Sequence, residues 1–167
     1  MSRSSIRNKK ILITGAAGSI GSEILRQLAP LNTIYALDIN ETGVFDLIEE
    51  QRLAGHEVSG RIGDIRDRET INRVFSEFRP RIVFHAAALK HVTPCEEEPE
   101  EAIRTNELGT LNLLRAAKKY GIEKFVFIST DKVVNASCVM GSTKNTAEIM
   151  TRNMGKGFVA VRFGNVM

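Results

Sequence analysis

Six short apolar runs alternate with longer amphipathic stretches along the 167 residues, and this alternation limits the possible folds more than any other feature. The runs are Lys10–Thr14, Thr33–Leu37, Glu57–Ile62, Arg81–His85, Lys124–Ser129 and Gly157–Phe163. Most read as continuous apolar segments rather than as an apolar–polar alternation, so both faces of each strand are expected to be covered, as in a parallel sheet. Five stretches between them read as helices. Ser19–Leu28 stops before Pro30, and Gly43–Leu53 carries Val44, Leu47 and Ile48 on one face. Asp67–Phe78 places Ile71, Val74, Phe75 and Phe78 together. Glu100–Tyr120 is opened by Pro99 and followed by Gly121, and Ser142–Met154 completes the set. Strand–helix alternation of this length predicts an α/β fold, a doubly wound parallel sheet of six strands.

Residues 1–8 are read as a basic N-terminal extension and 9–167 as one domain, incomplete at its C-terminus because no helix follows to cover the sixth strand. Lys and Arg number 23 against 20 Asp and Glu, a net charge of +3, and the basic residues are scattered rather than gathered into a stripe. A nucleic-acid partner is therefore not expected. No apolar run reaches the ~18 residues of a membrane span, and the polar N-terminus is not a secretory signal. Cys95 and Cys138 lack metal-ligand spacing and His56, His85 and His91 are dispersed, so two free thiols and no metal site are expected.

The sharpest local motif is Thr14-Gly15-Ala16-Ala17-Gly18-Ser19-Ile20-Gly21, set between the first strand and the first helix. Glycines at 15, 18 and 21 permit a tight turn, close approach of a pyrophosphate and close helix packing. The helix N-terminus supplies N–H groups and positive dipole to the phosphates. Asp38 ends the second strand 23 residues after Gly15, where a carboxylate accepts ribose hydroxyls. The same carboxylate repels a 2′-phosphate, so NAD is expected ahead of NADP. A glycine-rich turn without a ligand is the competing reading.

The glycines are spaced G-x-x-G-x-x-G. With Gly63-Asp64-Ile65, His85-Ala86-Ala87-Ala88 and Asn106 in the long helix, the pattern resembles the extended short-chain dehydrogenase/reductases. These are Rossmann enzymes that act on nucleotide sugars with a tightly held nicotinamide cofactor. By that resemblance Asp64 and Ile65 lie near the adenine, and Ala86, Ala87 and Ala88 flank the cofactor. Three further segments, Asp38-Ile39-Asn40-Glu41-Thr42-Gly43, Ala88-Leu89-Lys90-His91-Val92 and Ser129-Thr130-Asp131-Lys132, resemble the polysaccharide-biosynthesis branch, the UDP-N-acetylglucosamine 4,6-dehydratases and their relatives. The likeness spans residues 9 to 166.

A 4,6-dehydratase moves a hydride from sugar carbon 4 to the nicotinamide, takes a proton from carbon 5, expels the carbon 6 hydroxyl and returns the hydride to carbon 6. Such a reaction needs a base and an acid beside the cofactor. The resemblance implies Lys132 as base, Asp131 as acid and Thr130 as a hydrogen-bond partner of the carbon 4 oxygen. An amine base must be neutral, which requires burial or a neighbouring cation. The family's Tyr-x-x-x-Lys is here Met140-Gly141-Ser142-Thr143-Lys144. Lys144 is expected on the nicotinamide ribose. Met140 has no ionisable proton, and some members of the branch carry methionine there. Asp131, Thr130 or a water is left to accept the carbon 4 proton.

Lys90 and Asn165 are candidate substrate contacts by the same resemblance, with a solvated loop the alternative for Lys90. The run Glu96, Glu97, Glu98, Glu100 and Glu101 is read as the start of the long helix, where acids suit the dipole. A homo-oligomer formed through Ile103, Leu108, Leu111, Leu114 and Ala117, a UDP-sugar substrate and a cytoplasmic enzyme are also expected, some relatives carrying membrane helices upstream. The isolated chain is expected to bind cofactor and turn over poorly. A UDP-sugar 4-epimerase and a non-catalytic dinucleotide-binding module are the competing functions.

Overall fold

In the computed structural model, residues 6–134 and 136–164 are described. The strands are β1 (Lys10–Thr14), β2 (Thr33–Asp38), β3 (Val58–Ile62), β4 (Ile82–His85), β5 (Lys124–Ile128) and β6 (Phe158–Val161). They form one sheet in the order β3-β2-β1-β4-β5-β6, and every adjacent pair is parallel. The order reverses between β1 and β4, which opens a crevice at their C-terminal ends. The helices are α1 (Ser19–Leu28), α2 (Glu41–Leu53), α3 (Arg68–Phe78), α4 (Val92–Glu97), α5 (Pro99–Ala102), α6 (Thr110–Tyr120) and α7 (Val139–Arg152). The doubly wound parallel sheet expected from the sequence is present.

Alternate residues of β1 belong to different cores. Ile11 and Ile13 pack with Leu25, Ile34 and Leu47 on the face covered by α1 and α2. Leu12 packs with Val74, Phe75, Leu113, Leu114 and Phe125 on the face covered by α3, α6 and α7. Burial on both sides explains why the central strands read as unbroken apolar runs. At the sheet edge, Val159 and Val161 of β6 remain 41% and 37% exposed, with no described helix over them.

Several boundaries differ from the sequence reading. The long helix is not uniform: α5 runs into a π-helical segment, Ile103–Gly109, before α6. That segment turns Asn106 and Gly109 inward, and a Cβ on Gly109 would lie 2.6 Å from the Ile65 side chain. The acidic run does not open one helix. Glu96 and Glu97 belong to α4, and Glu100 and Glu101 to α5. Pro99 separates the two because it has no N–H to continue α4 and restricts the residue before it. Helix α7 begins three residues earlier than expected, capped by Cys138, whose Sγ accepts the Gly141 N–H. Met140 is thus helical and 3% exposed, packed with Cys95 and Ala102. Of the residues expected to drive self-association, Leu114 and Ala117 are consumed by the core, while Ile103 and Leu108 are exposed.

His85 ends β4 with no exposed surface. Its Nδ1 lies 2.7 Å from Thr14 Oγ1 on the neighbouring strand, and its Nε2 lies 2.9 Å from Thr110 Oγ1. Burial, and secondarily the charge of Lys144, lowers its pKa to about 3.

Two predictions follow from this core. Leu114→Ala empties a fully buried site and should cost ~2–5 kcal/mol in urea unfolding; a loss within error of zero would contradict the packing. The unfolded chain protonates His85 near its ordinary value of 6.5, whereas the folded one refuses the proton until about 3. Stability should therefore fall as pH drops below 6.5, this group contributing up to about 1.4 kcal/mol per pH unit. His85→Asn should flatten the slope between that point and about pH 5; an unchanged slope in pH-dependent urea titrations would show that His85 is not its source.

Candidate functional site

The turn between β1 and α1 is built around Gly15, whose φ is +68° and whose ideal Cβ would sit 2.4 Å from the Ala87 nitrogen. No other residue type combines that conformation with that approach. Gly21 is equally constrained, since its Cβ would strike the Gly15 carbonyl. Gly18 differs. It caps α1 in extended geometry without a side-chain hydrogen bond, and its Cβ would meet only the Gly15 oxygen, at 3.3 Å. The first-turn N–H groups of α1 have no partner within the helix and stand beside an exposed Gly18 and Ser19.

These residues open into a cleft of about 480 Å³ that runs across the strand ends. Its floor is Gly15, Ala17, Gly18, Ser19, Ile20 and Gly21, and its sides are Asp38, Asp64 and Ile65 on one flank and Ala86, Ala87 and Ala88 on the other. Every residue expected to touch the cofactor from the glycine turn, β2, β3 and β4 lines this one space. Asp38 accepts the Ala17 N–H at 2.9 Å through Oδ2 and the Asn40 N–H at 3.0 Å through Oδ1. A carboxylate has about four acceptor positions, so capacity remains for hydroxyl donors. Asp64 is more engaged: it accepts from the Arg66 backbone N–H and from Arg66 Nε. Arg66 also pairs with Glu101 of α5 across the cleft rim. Arg66 and Glu101 were not expected at the site, and no spacing in the sequence announces their pairing.

A second space of about 360 Å³ continues from the first and shares Ser19, Ile20, Ala86, Ala88 and Lys90 with it. Thr130, Lys132, Met140, Lys144, Phe163 and Gly164 line it. Asp131 is exposed beside it. Its Oδ1 accepts the Thr130 hydroxyl at 3.0 Å, and its N–H donates to Phe163 O at 3.3 Å. Lys132 is exposed, so the described residues do not provide the burial that an amine base needs. Asn165 lies outside the described residues.

Lys144 is held firmly. Its Nζ donates to Ile128 O at 2.6 Å and sits 4.4 Å from the centroid of the Phe127 ring. Burial lowers its pKa to about 8, with Glu148 opposing the fall. The preceding residue, Thr143, accepts from Asn106 Nδ2 at 3.0 Å. Asn106 also receives the Leu89 N–H and donates to Leu89 O. The π-helical segment thereby fastens the loop after β4 to α7. Asn106 is recognised in the sequence only by resemblance, because the two partners of its side chain, Leu89 and Thr143, lie 17 and 37 residues away.

Among the described residues no group of three or more His, Cys, Asp or Glu could hold a metal ion, and no helix is long and apolar enough to cross a membrane.

Comparison with known proteins agrees with this geometry. An uncharacterized membrane protein of Methanocaldococcus jannaschii is 48% identical over 96% of this chain and 50% of its own length. A probable polysaccharide biosynthesis protein, EpsC, of Bacillus subtilis is 44% identical over 97% of this chain and 29% of its own length. Among solved structures, Pen from Bacillus thuringiensis matches with a TM-score of 0.89 and 35% identity, over 96% of this chain and 51% of that one. A Thermus thermophilus UDP-glucose 4-epimerase, solved in complex with NAD, matches with a TM-score of 0.76 and 30% identity, over 93% of this chain and 53% of that one. The chain thus spans half or less of the length of these curated relatives. The family model described as polysaccharide biosynthesis protein matches residues 11–167, and the chain belongs to that family, within the extended short-chain dehydrogenase/reductases.

Proposed function

We propose that this chain is the NAD-binding part of a nucleotide-sugar 4,6-dehydratase that acts on a UDP-N-acetylglucosamine type of substrate. The observation that carries the reading is the continuity of the two spaces, which puts a phosphate-binding turn and Asp38 at one end and Thr130, Lys132 and Lys144 at the other. The residues fit the cofactor. Gly18 is exposed at the start of α1 and carries no side chain, which leaves room for a pyrophosphate there, and Asp38 has acceptor capacity left for a ribose. The NAD complex of the Thermus thermophilus epimerase supports the same assignment.

When bound, the nicotinamide supplies a reversible hydride acceptor. The chain's own groups do the rest. The N–H groups at the start of α1 bind the phosphates, and Lys144, anchored on Ile128 O, presents its charge to the nicotinamide ribose. Thr130 hydrogen-bonds the sugar's carbon 4 oxygen. Lys132 takes the carbon 5 proton, and Asp131 donates a proton to the departing carbon 6 hydroxyl. A sugar seated over Lys132 would supply the dry surroundings a neutral amine needs. Met140, buried against Cys95 and Ala102, fills the family's tyrosine position without moving a proton, and Asp131, Thr130 or a water takes the carbon 4 proton. Lys90 and Asn165 are assigned to the substrate.

The 4-epimerase relative sustains a second reading, a UDP-sugar epimerase built on the same cleft. Epimerisation at carbon 4 uses no separate acid and base at carbons 5 and 6, so the Thr130–Asp131–Lys132 group favours dehydration.

Two measurements test the proposal. Gly18→Val, whose Cβ would meet the Gly15 oxygen at 3.3 Å and so needs a small shift of the turn, should lower NAD affinity at least ~10-fold in calorimetry, a loss of ~1.4 kcal/mol, with an unchanged circular dichroism spectrum showing that the fold is kept. NADP should bind the unaltered chain more weakly than NAD. Equal NAD affinity in the variant would move the pyrophosphate elsewhere. In a form of the protein long enough to turn over, mass spectrometry of the product from UDP-N-acetylglucosamine should show loss of one water. Lys132→Ala and Asp131→Asn should each slow that loss by ~10²–10⁴-fold. A product of unchanged mass would establish the epimerase instead.

A further inference from the structure

Lys144 and the Phe163–Gly164 segment both line the second space, yet they belong to different elements, α7 and the chain just past β6. Glu148 joins them. It lies four residues after Lys144 on α7, hence on the same helix face, and its side chain is only 5% exposed. Ser129 Oγ, just past β5, donates to its Oε2 at 2.8 Å. Arg162 Nε donates to Oε1 at 3.1 Å and to Oε2 at 2.9 Å, and Arg162 Nη2 reaches Oε1 at 2.6 Å. Arg152 on the same helix approaches Oε1 at 3.8 Å. A buried carboxylate without partners is costly, and a planar guanidinium fork fixes direction as well as charge. Phe163 directly follows Arg162, and its carbonyl receives the Asp131 N–H.

We propose that Glu148 is a positioning residue of the cleft: its carboxylate, forked to Arg162 and bonded to Ser129, holds the Phe163–Gly164 wall at a fixed spacing from Lys144 and seats the Asp131 backbone. The inference rests on the reading of the cleft given above and deepens it. The same carboxylate acts on Lys144, whose pKa burial lowers to about 8 while Glu148 opposes the fall. The other groups around Lys144 are His85 from β4, kept neutral by burial, Lys90 and His91 from the loop after β4, Lys132 from the turn after β5, and Arg162 beyond β6. Negative charge comes from Glu148 and from the exposed Asp131 after β5, and of the two Glu148 is the one that raises the Lys144 pKa. Glu148 therefore favours the protonated form of Lys144 and, through Arg162, also holds the Phe163–Gly164 wall.

The test compares Glu148→Gln with Arg162→Gln by two NMR readouts, hydrogen exchange at the Asp131 amide and the pH midpoint of the Lys144 ¹³Cε resonance. Both variants should speed Asp131 exchange by at least ~10-fold relative to the Phe127 amide. Glu148→Gln should lower the Lys144 midpoint, whereas Arg162→Gln, which leaves the carboxylate in place, should not. A residue acting only through packing would move the midpoint in the same direction in both. Unchanged Asp131 exchange in both variants, or an equal fall of the midpoint in both, overturns the proposal. Arg162 is 42% exposed, so its variant is expected to fold. If Glu148→Gln does not, Glu148→Asp carries the same readouts, with faster Asp131 exchange and the Lys144 midpoint retained. Neither readout needs a dinucleotide, so failure of the unaltered chain to bind NAD would count against the proposed function and leave this inference to its own measurements.

Discussion

The contact between the first turn and the end of β4 governs the site. Gly15 adopts a left-handed backbone with Ala87 so near that no Cβ could be placed between them. Because that approach is fixed, α1 starts directly above the reversal of strand order, and the small residues Ala86, Ala87 and Ala88 border the space it faces. Were the turn wider, the N-terminus of α1 would no longer address the crevice, and Asp38 could not receive the Ala17 N–H. The geometry of this turn is thus a consequence of packing between β1, α1 and β4, which the hydrophobic cores on both sheet faces hold in place.

Beneath the cleft runs a connected set of buried polar groups. Thr14, His85 and Thr110 meet across β1, β4 and α6. Thr110 donates to Asn106 O, Asn106 donates to Thr143, and Lys144 follows in sequence. Among the described residues no buried side-chain polar atom lacks a partner. Satisfied networks of this kind cost little and fix one arrangement, whereas a half-satisfied one would loosen it. The π-helical segment belongs to this set. It turns Asn106 inward, where its side chain bonds both Leu89 and Thr143.

The parallel sheet and the glycine turn are legible in the sequence because each rests on local pattern, whereas the strand order, which depends on which strands meet, is given only by the structure. Continuous apolar runs mark Lys10–Thr14 and Lys124–Ser129, and glycine spacing marks the turn. Positions whose meaning depends on distant partners were not legible. Glu148 reads as one more helical acid until Arg162 and Ser129 arrive from other strands. Arg66 reads as a surface base until Glu101 meets it from α5. Helix α7 began earlier than expected because its cap is a cysteine, Cys138, rather than one of the usual Ser, Thr, Asp or Asn residues. The break at Pro99 was visible, but the short helix α4 before it was hidden, since a run of acids reads equally well as the first turn of the helix that follows.

The central claim is that one dinucleotide spans both spaces, from Asp38 to Lys144. A crystal structure of the chain grown with NAD tests it most directly. The account predicts the pyrophosphate over the first turn of α1 beside Gly18, one ribose within hydrogen-bond distance of Asp38, and the other within reach of Lys144 Nζ. A dinucleotide seated elsewhere on the sheet, or one whose nicotinamide half turns away from Lys144, would contradict it.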